Sequence, residues 1–393
     1  MKAIGMYIFS GSQTIGHLET GWEVDQILEM TDDMAQTNAF HFVRNYAIPI
    51  IPPSEWEYHN SYLNSLTDKY DLLFANPPCS GLSSINRNAR VDNKVNEHIY
   101  EVASAINVIA PKAFLIENAP TLVTRGLPIL KDIQKILSKQ YRITIITDLA
   151  GNHNVPMYRK RTLVVGWRRD IFDKMPIINQ IVENTFTVGD AFKGLEGASN
   201  MEPIDIKDSY DFSRFYSLVN PDETVVKAIC RNLDSVKKDL NESELRLVLR
   251  AKEKYDLNKS VWDKSPLRLN NSGRAPSITS VNRYIHPTED RDIYVRECAR
   301  LMGYPDSYRF YKGSKVSDIQ CIAQGVPVNF IKYISSEIMR QFNTPTYWND
   351  DCDVMYINQV TGVQNITTFK SDEFALCDKI NHNDSSLQET ILW

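Results

Sequence analysis

The sequence predicts an α/β protein with a doubly wound sheet. Short apolar runs that suit strands alternate with longer patterns that suit helices, and several of the runs end in a polar or small-residue loop. A chain of 393 residues has room for one large domain and a smaller insert. Strands are predicted at Met6–Phe9, Trp22–Leu28, Asp71–Ala75, Ala113–Ile116, Arg142–Asp148 and Thr162–Trp167, and helices include Asn96–Ile109.

The first two predicted strands are followed by features typical of nucleotide binding. Gly5–Phe9 leads into Ser10-Gly11-Ser12, a small-residue turn that lets a ligand approach the backbone at the start of a helix. The second apolar run ends at Glu29, about twenty residues on, where an acidic residue can bind a ribose. A dinucleotide-dependent dehydrogenase would share these signals, so they do not identify the ligand.

The third predicted strand runs into Asn76-Pro77-Pro78-Cys79. Proline lacks the amide donor and fixes its own φ, so the strand cannot continue through this segment. Cys79 is therefore predicted at the carboxyl end of its strand, which is the edge where ligands bind in open α/β sheets. A lone cysteine is more often a small buried apolar residue than a nucleophile, so its function depends on the segments that accompany it.

Two further predicted strands carry charged groups at or near one end. One ends in Glu117-Asn118, where a carboxylate beside a thiol in a water-poor pocket can stay protonated and donate to a ring nitrogen, or can simply cap the strand. Arg159 and Arg161 stand two apart at the start of the other strand, so their side chains point the same way. Paired arginines usually form a solvated edge, yet they also suit a carbonyl oxygen and phosphates.

Two later segments complete a recognisable series. Arg296–Tyr308 reads RECARLMGYPDSY, and Ala323–Ile334 reads AQGVPVNFIKYI. Together with Pro-Pro-Cys, Glu-Asn and Arg-x-Arg in this order, they resemble the DNA (cytosine-5) methyltransferases over roughly residues 4–169 and 272–340. The resemblance implies a Rossmann-like sheet of the S-adenosylmethionine-dependent methyltransferase type. The implied domains are 1–170 and 272–344 for catalysis and cofactor binding, 171–271 for target recognition, and 345–393 as a carboxyl-terminal extension.

The resemblance also implies a reaction and its residues. S-adenosyl-L-methionine would donate a methyl group to carbon 5 of a cytosine flipped out of duplex DNA. Cys79 would add to carbon 6, Glu117 would hold ring nitrogen 3 and the exocyclic amine, and Arg161 with Arg159 would contact the base carbonyl and nearby backbone. The residues implied for the cofactor site are Phe9, Ser10, Gly11, Thr14, Glu29, Met30, Asn76, Pro78, Gln324 and Val326.

Departures from the family pattern leave alternatives open. The family's Phe-x-Gly-x-Gly-Gly is here Phe9-Ser10-Gly11-Ser12-Gln13-Thr14, and its Gly-Asn in the last motif is Ala323-Gln324. These changes are consistent with neutral drift or with an altered sulfonium donor. A transfer RNA substrate is a second alternative, and an inactive DNA-binding module is a third.

Two further segments are candidates for contacts with phosphates. Gly81, Ser83 and Ser84 would begin a mobile loop after Cys79, on which Arg87 and Arg90 could meet phosphates or remain ordinary solvated charges. If Asn241–Lys259 is helical, three basic residues fall on one stripe and two leucines beside them face inward. The basic residues are Arg246, Arg250 and Lys254, and the leucines are Leu245 and Leu249.

Composition restricts the remaining choices. The six cysteines form no Cys-x-x-Cys pair and lack histidines at ligand spacing, so neither a metal site nor a disulfide framework is expected. No apolar run approaches the roughly eighteen residues of a membrane span, so no membrane partner is expected.

We expect a cytoplasmic monomer, in a bacterial cell or a phage-infected host, with a cognate restriction endonuclease as a functional partner. Because the net charge is −5, DNA binding requires basic residues that are segregated on one face.

The last part of the chain is less defined by its sequence. A helix around Asn329–Gln341 is expected to pack back beside the first strand. Beyond Pro345, the alternating segments Val354–Ile357 and Ile366–Phe369 precede a polar stretch at Asn381–Ser386. This tail is interpreted as either a small docked hairpin or a partly disordered extension.

Overall fold

The computed structural model describes residues 1–380 except 34, 35, 38, 58, 59, 84, 85, 87, 181, 183, 184, 196–201, 203–209, 258, 260–264, 281, 282 and 379. Ser84 and Arg87 of the predicted mobile loop lie outside the described residues, as does the polar stretch Asn381–Ser386. No helix within the described ranges is both long enough and apolar enough to cross a membrane.

The strands are β1 (Lys2–Met6), β2 (Glu23–Leu28), β3 (Ile50–Ile51), β4 (Leu72–Ala75), β5 (Ala113–Asn118), β6 (Tyr141–Leu149), β7 (Met157–Tyr158), β8 (Lys160–Arg168), β9 (Leu267–Arg268), β10 (Ala275–Pro276), β11 (Tyr284–Ile285), β12 (Val354–Asn358) and β13 (Asn365–Phe369). The α-helices are α1 (Ser12–Glu19), α2 (Phe42–Asn45), α3 (Pro53–Trp56), α4 (Asn60–Ser65), α5 (Glu97–Ile109), α6 (Leu127–Leu137), α7 (Val188–Phe192), α8 (Val225–Arg231), α9 (Leu233–Val236), α10 (Glu242–Asp256), α11 (Val295–Leu301), α12 (Asp318–Gln324), α13 (Val328–Asn343) and α14 (Ser371–Leu376).

The central sheet has the strand order β13-β12-β6-β8-β5-β4-β1-β2-β3. Strands β3, β2, β1, β4 and β5 are parallel, whereas β8 runs antiparallel to both β5 and β6. One apolar cluster joins α1 and α13 to one face of the sheet, and a second joins α5 and α6 to the other face. The predicted doubly wound α/β architecture is confirmed.

The strand register collects several loops at one edge of the sheet. Met6 at the end of β1 is aligned with Leu28 of β2 and with Ala75 of β4, and Ala75 is aligned with Ile116 of β5. The loops that follow these strands therefore start side by side. Strand β8 begins at this edge because it runs in the opposite direction.

The first strand lies earlier in the chain than the sequence predicts. It spans Lys2–Met6, whereas the predicted strand is Met6–Phe9. Tyr7 and Phe9 have φ angles of 57° and 49°, which lie in the left-handed region and cannot continue a strand. The small-residue loop therefore starts directly after β1.

Helix α13 joins the two ends of the core by packing on α1, the helix that follows the first strand. His17 Nδ1 lies 2.8 Å from Ser335 Oγ. A Cβ atom at Gly16 would lie 2.7 Å from Ile331 Cγ2, so glycine is needed for this close approach. The expected return of the chain toward its beginning is thus made through α1.

The carboxyl-terminal segment contains the docked hairpin that was one of the two interpretations of the tail. Strand β12 pairs in parallel with β6 and antiparallel with β13. Both strands extend the central sheet, so residues 354–369 are structurally part of it.

A third apolar cluster, which includes α8 and Val248 of α10, lies in the segment predicted for target recognition except for Ile285 of β11. Glu244 and Val248 form the buried side of α10, and Arg214 Nη2 contacts Glu244 Oε2 at 2.5 Å. The prediction that Leu249 faces inward is wrong, because its side chain is 42% exposed. The basic residues Arg246, Arg250 and Lys254 are exposed, as expected for a solvated stripe.

Candidate active site

Cys79 lies at the carboxyl end of β4, where the sequence predicts it. Asn118 Nδ2 donates to Pro77 O at 3.3 Å, which joins the ends of β4 and β5. The backbone amides of Leu82 and Ser83 donate to Cys79 O at 3.0 and 2.9 Å. These bonds form a tight turn that holds the partly exposed Cys79 at the edge of the sheet.

Glu117 and Arg161 form an ion pair beside Cys79. Arg161 Nε lies 2.6 Å from Glu117 Oε1, and the Glu117 carboxyl is almost fully buried. Burial raises the pKa of the Glu117 carboxyl, although Arg161 and Arg159 oppose the shift. Burial also raises the pKa of the Cys79 thiol; Arg161 lowers it, Glu117 raises it and Arg159 lowers it. The three predicted groups therefore share one electrostatic environment.

Arg159 reaches the same site, but its terminal nitrogens are bound by the protein itself. Nη1 donates to Ser277 Oγ and Ile278 O, both at 3.0 Å, and Nη2 donates to Ala323 O at 2.6 Å and Gly325 O at 2.7 Å. Burial, followed by repulsion from Arg161, lowers the pKa of Arg159 to about 9. Arg159 thus connects three distant segments of the chain.

The loop after Cys79 is anchored near both ends by residues that the sequence analysis missed. Leu82 O accepts bonds from Thr121 Oγ1 at 2.6 Å and Arg125 Nη1 at 3.1 Å. At the other end, Asn96 Nδ2 donates to Arg90 O and Val91 O at 2.9 and 2.8 Å. No sequence pattern distinguishes these polar residues from ordinary loop residues.

Glu29 lies directly after β2 and is buried. Its carboxylate accepts bonds from Ile8 N at 3.3 Å and Met30 N at 2.7 Å, and its carbonyl accepts a bond from Trp56 Nε1 at 3.1 Å. Burial raises the pKa of Glu29 to about 7, against the opposing effect of the two backbone donors. The structure therefore places Glu29 against the loop after β1, with Met30 and Trp56 beside it.

The loop between β1 and α1 is held by the later family segments. Ser10 Oγ lies 2.5 Å from Tyr304 OH and donates to Cys321 O at 2.8 Å, while Tyr308 OH donates to Ser10 O at 2.8 Å. The Ser10 hydroxyl is thus bound within the protein. The sequence singled out the segment that contains both tyrosines but not their contact with Ser10.

Glycines permit two close approaches in this region. Gly11 has a φ of 83°, and a Cβ atom there would lie 2.1 Å from the ring of Phe42. Gly325 lies against Ser12, whose Oγ accepts a bond from Val326 N at 3.1 Å. The predicted cofactor residues near the amino terminus and those around Gln324 are thereby brought together. Phe9 is buried, and Pro78 is half-buried next to Cys79.

Several buried polar groups at this edge suit a polar ligand. The buried side-chain atoms without a hydrogen-bond partner in the described part of the chain include Gln13 Oε1 and Nε2, Thr14 Oγ1, Asn76 Nδ2 and Gln324 Oε1. Leaving such a group unpaired costs about 1–3 kcal/mol, so a ligand that pairs with it is favoured. The residues present therefore fit a nucleoside cofactor with a polar amino-acid portion.

Comparison with known proteins establishes the family. A profile described as C-5 cytosine-specific DNA methylase matches residues 33–340. The chain belongs to the C-5 cytosine-specific DNA methylase family. It is a DNA cytosine-5 methyltransferase, and the family implies DNA as the substrate and a methyl donor of the S-adenosylmethionine type.

Relatives of this methylase support the assignment. It is 27% identical over 309 residues to the Type II methyltransferase M.PspPI of Psychrobacter sp., covering 74% of this chain and 68% of the relative. It is 22% identical over 353 residues to the Type II methyltransferase M.FnuDI of Fusobacterium nucleatum, covering 86% and 94%. A solved Escherichia coli prophage protein, described as a DNA modification methyltransferase, has the same fold, with a TM-score of 0.59 and 19% identity over 87% of this chain and 99% of that one.

A metal site is not found among the described residues, where no group of three or more His, Cys, Asp or Glu side chains is placed to hold an ion. The described cysteines are all free thiols.

The first prediction concerns the buried carboxylate of Glu29. In the folded protein the pKa of Glu29 is about 7, above the usual 4.5. The protonated Glu29 therefore stabilises the folded state fully below pH 4.5, and this stabilisation is lost as pH rises through 7. We expect the free energy of unfolding of the methylase without cofactor to fall by up to about 3 kcal/mol between pH 5 and pH 8 through this group. Glu29→Gln should remove this part of the pH dependence, as measured by urea unfolding at both pH values. The exposed Glu23→Gln is the control, and equal pH slopes for Glu29→Gln and the wild type would contradict the assignment.

The second prediction separates the two arginines. Arg159→Ala should destabilise the methylase by about 3–5 kcal/mol, because it leaves acceptors in two distant segments of the chain without their donor. Arg161→Ala should cost less stability, since Glu117 can take up a proton once its partner is gone. Thermal unfolding should therefore rank Arg159→Ala below Arg161→Ala, whereas the folded fraction of both should methylate poorly. The reverse order of melting temperatures would contradict this division.

Proposed function

We propose that this methylase transfers a methyl group from S-adenosyl-L-methionine to carbon 5 of cytosine in duplex DNA, through covalent addition of Cys79 to carbon 6. The observation that carries the proposal is the grouping of Cys79, Glu117 and Arg161 at the edge of the sheet that also holds Glu29. A thiol, a carboxyl group and a guanidinium group are the groups required to attack a pyrimidine ring and to stabilise the charge that develops on it.

Reaction begins with attack by the Cys79 thiolate on carbon 6. A bond forms between sulfur and carbon 6, and the electron pair of the 5,6 double bond moves toward carbon 5. Glu117 holds a proton at ring nitrogen 3, which limits the negative charge on the ring. The bound S-adenosyl-L-methionine supplies an electrophilic methyl group. Carbon 5 would form its bond to that methyl group with this electron pair, while the methyl–sulfur bond breaks and its electron pair stays on the sulfur of the departing thioether. A base then takes the carbon 5 proton, and the Cys79 thiolate leaves as the double bond re-forms.

The ion pair links the proton on Glu117 to the charge on Cys79. When Glu117 is ionised, it neutralises Arg161 and raises the pKa of the Cys79 thiol. When Glu117 holds a proton, the charge of Arg161 is available to stabilise the thiolate. The reaction requires a neutral Glu117 and an ionised Cys79. Burial favours the neutral Glu117 but opposes ionisation of Cys79, and Arg161 lowers the pKa of the thiol.

We place the cofactor beside the loop after β1, on the residues that the family resemblance implies. Glu29 would accept bonds from the ribose hydroxyls, with Phe9, Met30 and Pro78 as apolar neighbours. The backbone at Ser10 and Gly11 would approach the ligand, and the unpartnered polar groups would bind its amino-acid portion. These groups belong to Gln13, Thr14, Asn76 and Gln324, and Val326 lies beside the last of them.

Domain roles follow the same proposal. Residues 1–170 and 272–344 would form the catalytic domain, 171–271 would recognise the target, and 345–393 would be an extension whose hairpin joins the sheet. The separate apolar cluster supports a recognition unit, and the exposed stripe Arg246, Arg250 and Lys254 suits DNA phosphates.

The target cytosine must leave the DNA helix to reach the active site, at a cost of roughly a few kcal/mol. A monomeric state and a cognate restriction endonuclease stay predictions.

The test is direct analysis of the product. Purified methylase is incubated with mixed-sequence duplex DNA or with transfer RNA, each with S-adenosyl-L-methionine. The nucleic acid is then digested to nucleosides, and their masses are measured by mass spectrometry. A gain of one methyl group on deoxycytidine in duplex DNA is expected. Methylation of transfer RNA alone would contradict the DNA substrate, and no methylation of either nucleic acid would contradict S-adenosyl-L-methionine as the donor.

A further inference from the structure

A buried carboxylate lies at the end of β6, close to the two arginines. Asp148 is fully buried, and its Oδ1 accepts bonds from Leu149 N at 2.7 Å and Asn152 Nδ2 at 3.1 Å. At Oδ2, His153 Nε2 lies at 2.5 Å and Gln359 Nε2 donates a further bond. A buried carboxylate is costly unless it is fully hydrogen-bonded, so each of these partners matters to the local structure.

Gln359 comes from the carboxyl-terminal hairpin, beyond the family match that ends at residue 340. It is 1% exposed and uses all of its polar groups. Its backbone amide donates to Thr147 O at 3.0 Å, and its carbonyl accepts a bond from Asn152 Nδ2 at 2.9 Å. Its side-chain Oε1 accepts a bond from Gln364 Nε2 at 2.9 Å, which leaves Nε2 directed at Asp148.

The segment held by Asp148 leads directly to the arginines of the active site. Asp148 is paired with Arg161 across the antiparallel strands β6 and β8, so the two side chains project from the same face of the sheet. Ala150 N donates to Arg159 O at 2.8 Å. The ring of His153 stacks on Tyr333 of α13, with the ring centres 4.0 Å apart. A change in the position of Asp148 would therefore be passed to both arginines.

We propose that Gln359 is a positioning residue for methyl transfer, because it fixes Asp148 and His153 and through them the start of β8. The inference rests on the proposed role of Arg161 at the cytosine. A misplacement of about 1 Å in a reacting group can lower a rate by about a hundredfold, and the Gln359 side-chain amide is the group through which the extension contacts the Asp148 carboxylate. The carboxyl-terminal hairpin thereby contributes to the active site without touching the substrate.

The test replaces Gln359 by leucine, which has a similar volume but no amide. We expect kcat for DNA methylation to fall about tenfold or more, with KM for S-adenosyl-L-methionine and Kd for S-adenosylhomocysteine unchanged, because the cofactor residues lie elsewhere. Tyr356→Phe is the matched control. It removes a hairpin hydrogen bond, to Thr147 Oγ1 at 3.4 Å, without touching Asp148, so its kcat should stay near the wild-type value.

A double-mutant cycle with Asp148→Asn then tests the route of the effect. If Gln359 acts through Asp148, the losses in kcat from Gln359→Leu and Asp148→Asn should be clearly less than additive. Hydrogen exchange should also speed up at Leu149–Asn154 in Gln359→Leu but not in Tyr356→Phe. Additive losses, unchanged exchange, or a kcat equal to that of the control would each overturn the inference. A wild type that forms no 5-methylcytosine would instead contradict the proposed function. The hydrogen-exchange comparison would still show whether Gln359 orders the segment Leu149–Asn154.

Discussion

Cys79→Ala is expected to abolish methyl transfer to cytosine, with a loss in rate of about four orders of magnitude or more. Cys79 is the thiol at the edge of the sheet beside Glu117 and Arg161, and the proposed reaction requires a sulfur nucleophile at carbon 6. Cys230, Cys298, Cys321 and Cys352 are buried and cannot replace it. The substitution removes one partly exposed side chain, so fold and DNA binding should be retained.

The decisive measurement is covalent trapping on duplex DNA that carries 5-fluorocytosine. Fluorine at carbon 5 cannot leave as the proton does, so the enzyme stays bound to carbon 6 after methyl transfer. The wild type should form a stable adduct in the presence of cofactor, and Cys79→Ala should form none. Cys377→Ala is the matched control, because Cys377 is also partly exposed and lies in the carboxyl-terminal extension. An adduct that survives Cys79→Ala would exclude Cys79 as the nucleophile.

The position of Cys79 could be predicted because local chemistry alone determines it. Two consecutive prolines end a strand whatever surrounds them, so the segment after Ala75 had to leave the sheet. The side-chain period of two likewise predicts that Arg159 and Arg161 point the same way. Both arginines are near Cys79 and Glu117 in the structure. These parts of the site depend on few residues that are close in sequence.

The remaining contacts depend on tertiary structure and leave no local signal. Arg159 is bound to Ala323 and Gly325, which are more than 160 residues away, and Gln359 reaches Asp148 from beyond the family match. The end of β1 also differs from the prediction. The strand ends at Met6 and not at Phe9, because Tyr7 has a left-handed φ that an apolar sequence pattern does not indicate. Residues of this kind are positioned by packing between distant segments, so only the folded chain reveals them.

Glu117→Gln is expected to slow methyl transfer by about a hundredfold to a thousandfold. Glutamine has nearly the same shape and keeps an amide donor and a carbonyl acceptor for the base, but it cannot pass a proton to ring nitrogen 3. The pKa of Glu117 is raised, so the wild-type rate should fall as pH rises through that pKa and the protonated form is lost. This limb of the pH profile should be absent in Glu117→Gln. A wild-type profile that keeps its shape in the variant would contradict the role.

The same substitution should have the opposite effect on the reactivity of the thiol. Glu117 raises the pKa of the Cys79 thiol and pairs with Arg161, so its loss should lower that pKa and increase the thiolate fraction near pH 7. Alkylation of Cys79 by iodoacetamide should therefore become faster in Glu117→Gln, while alkylation of Cys377 stays unchanged as the internal control. Slower methyl transfer with faster alkylation would show that Glu117 acts on the cytosine ring and not by activating the nucleophile. Slower alkylation would instead make Glu117 the group that helps Cys79 to ionise.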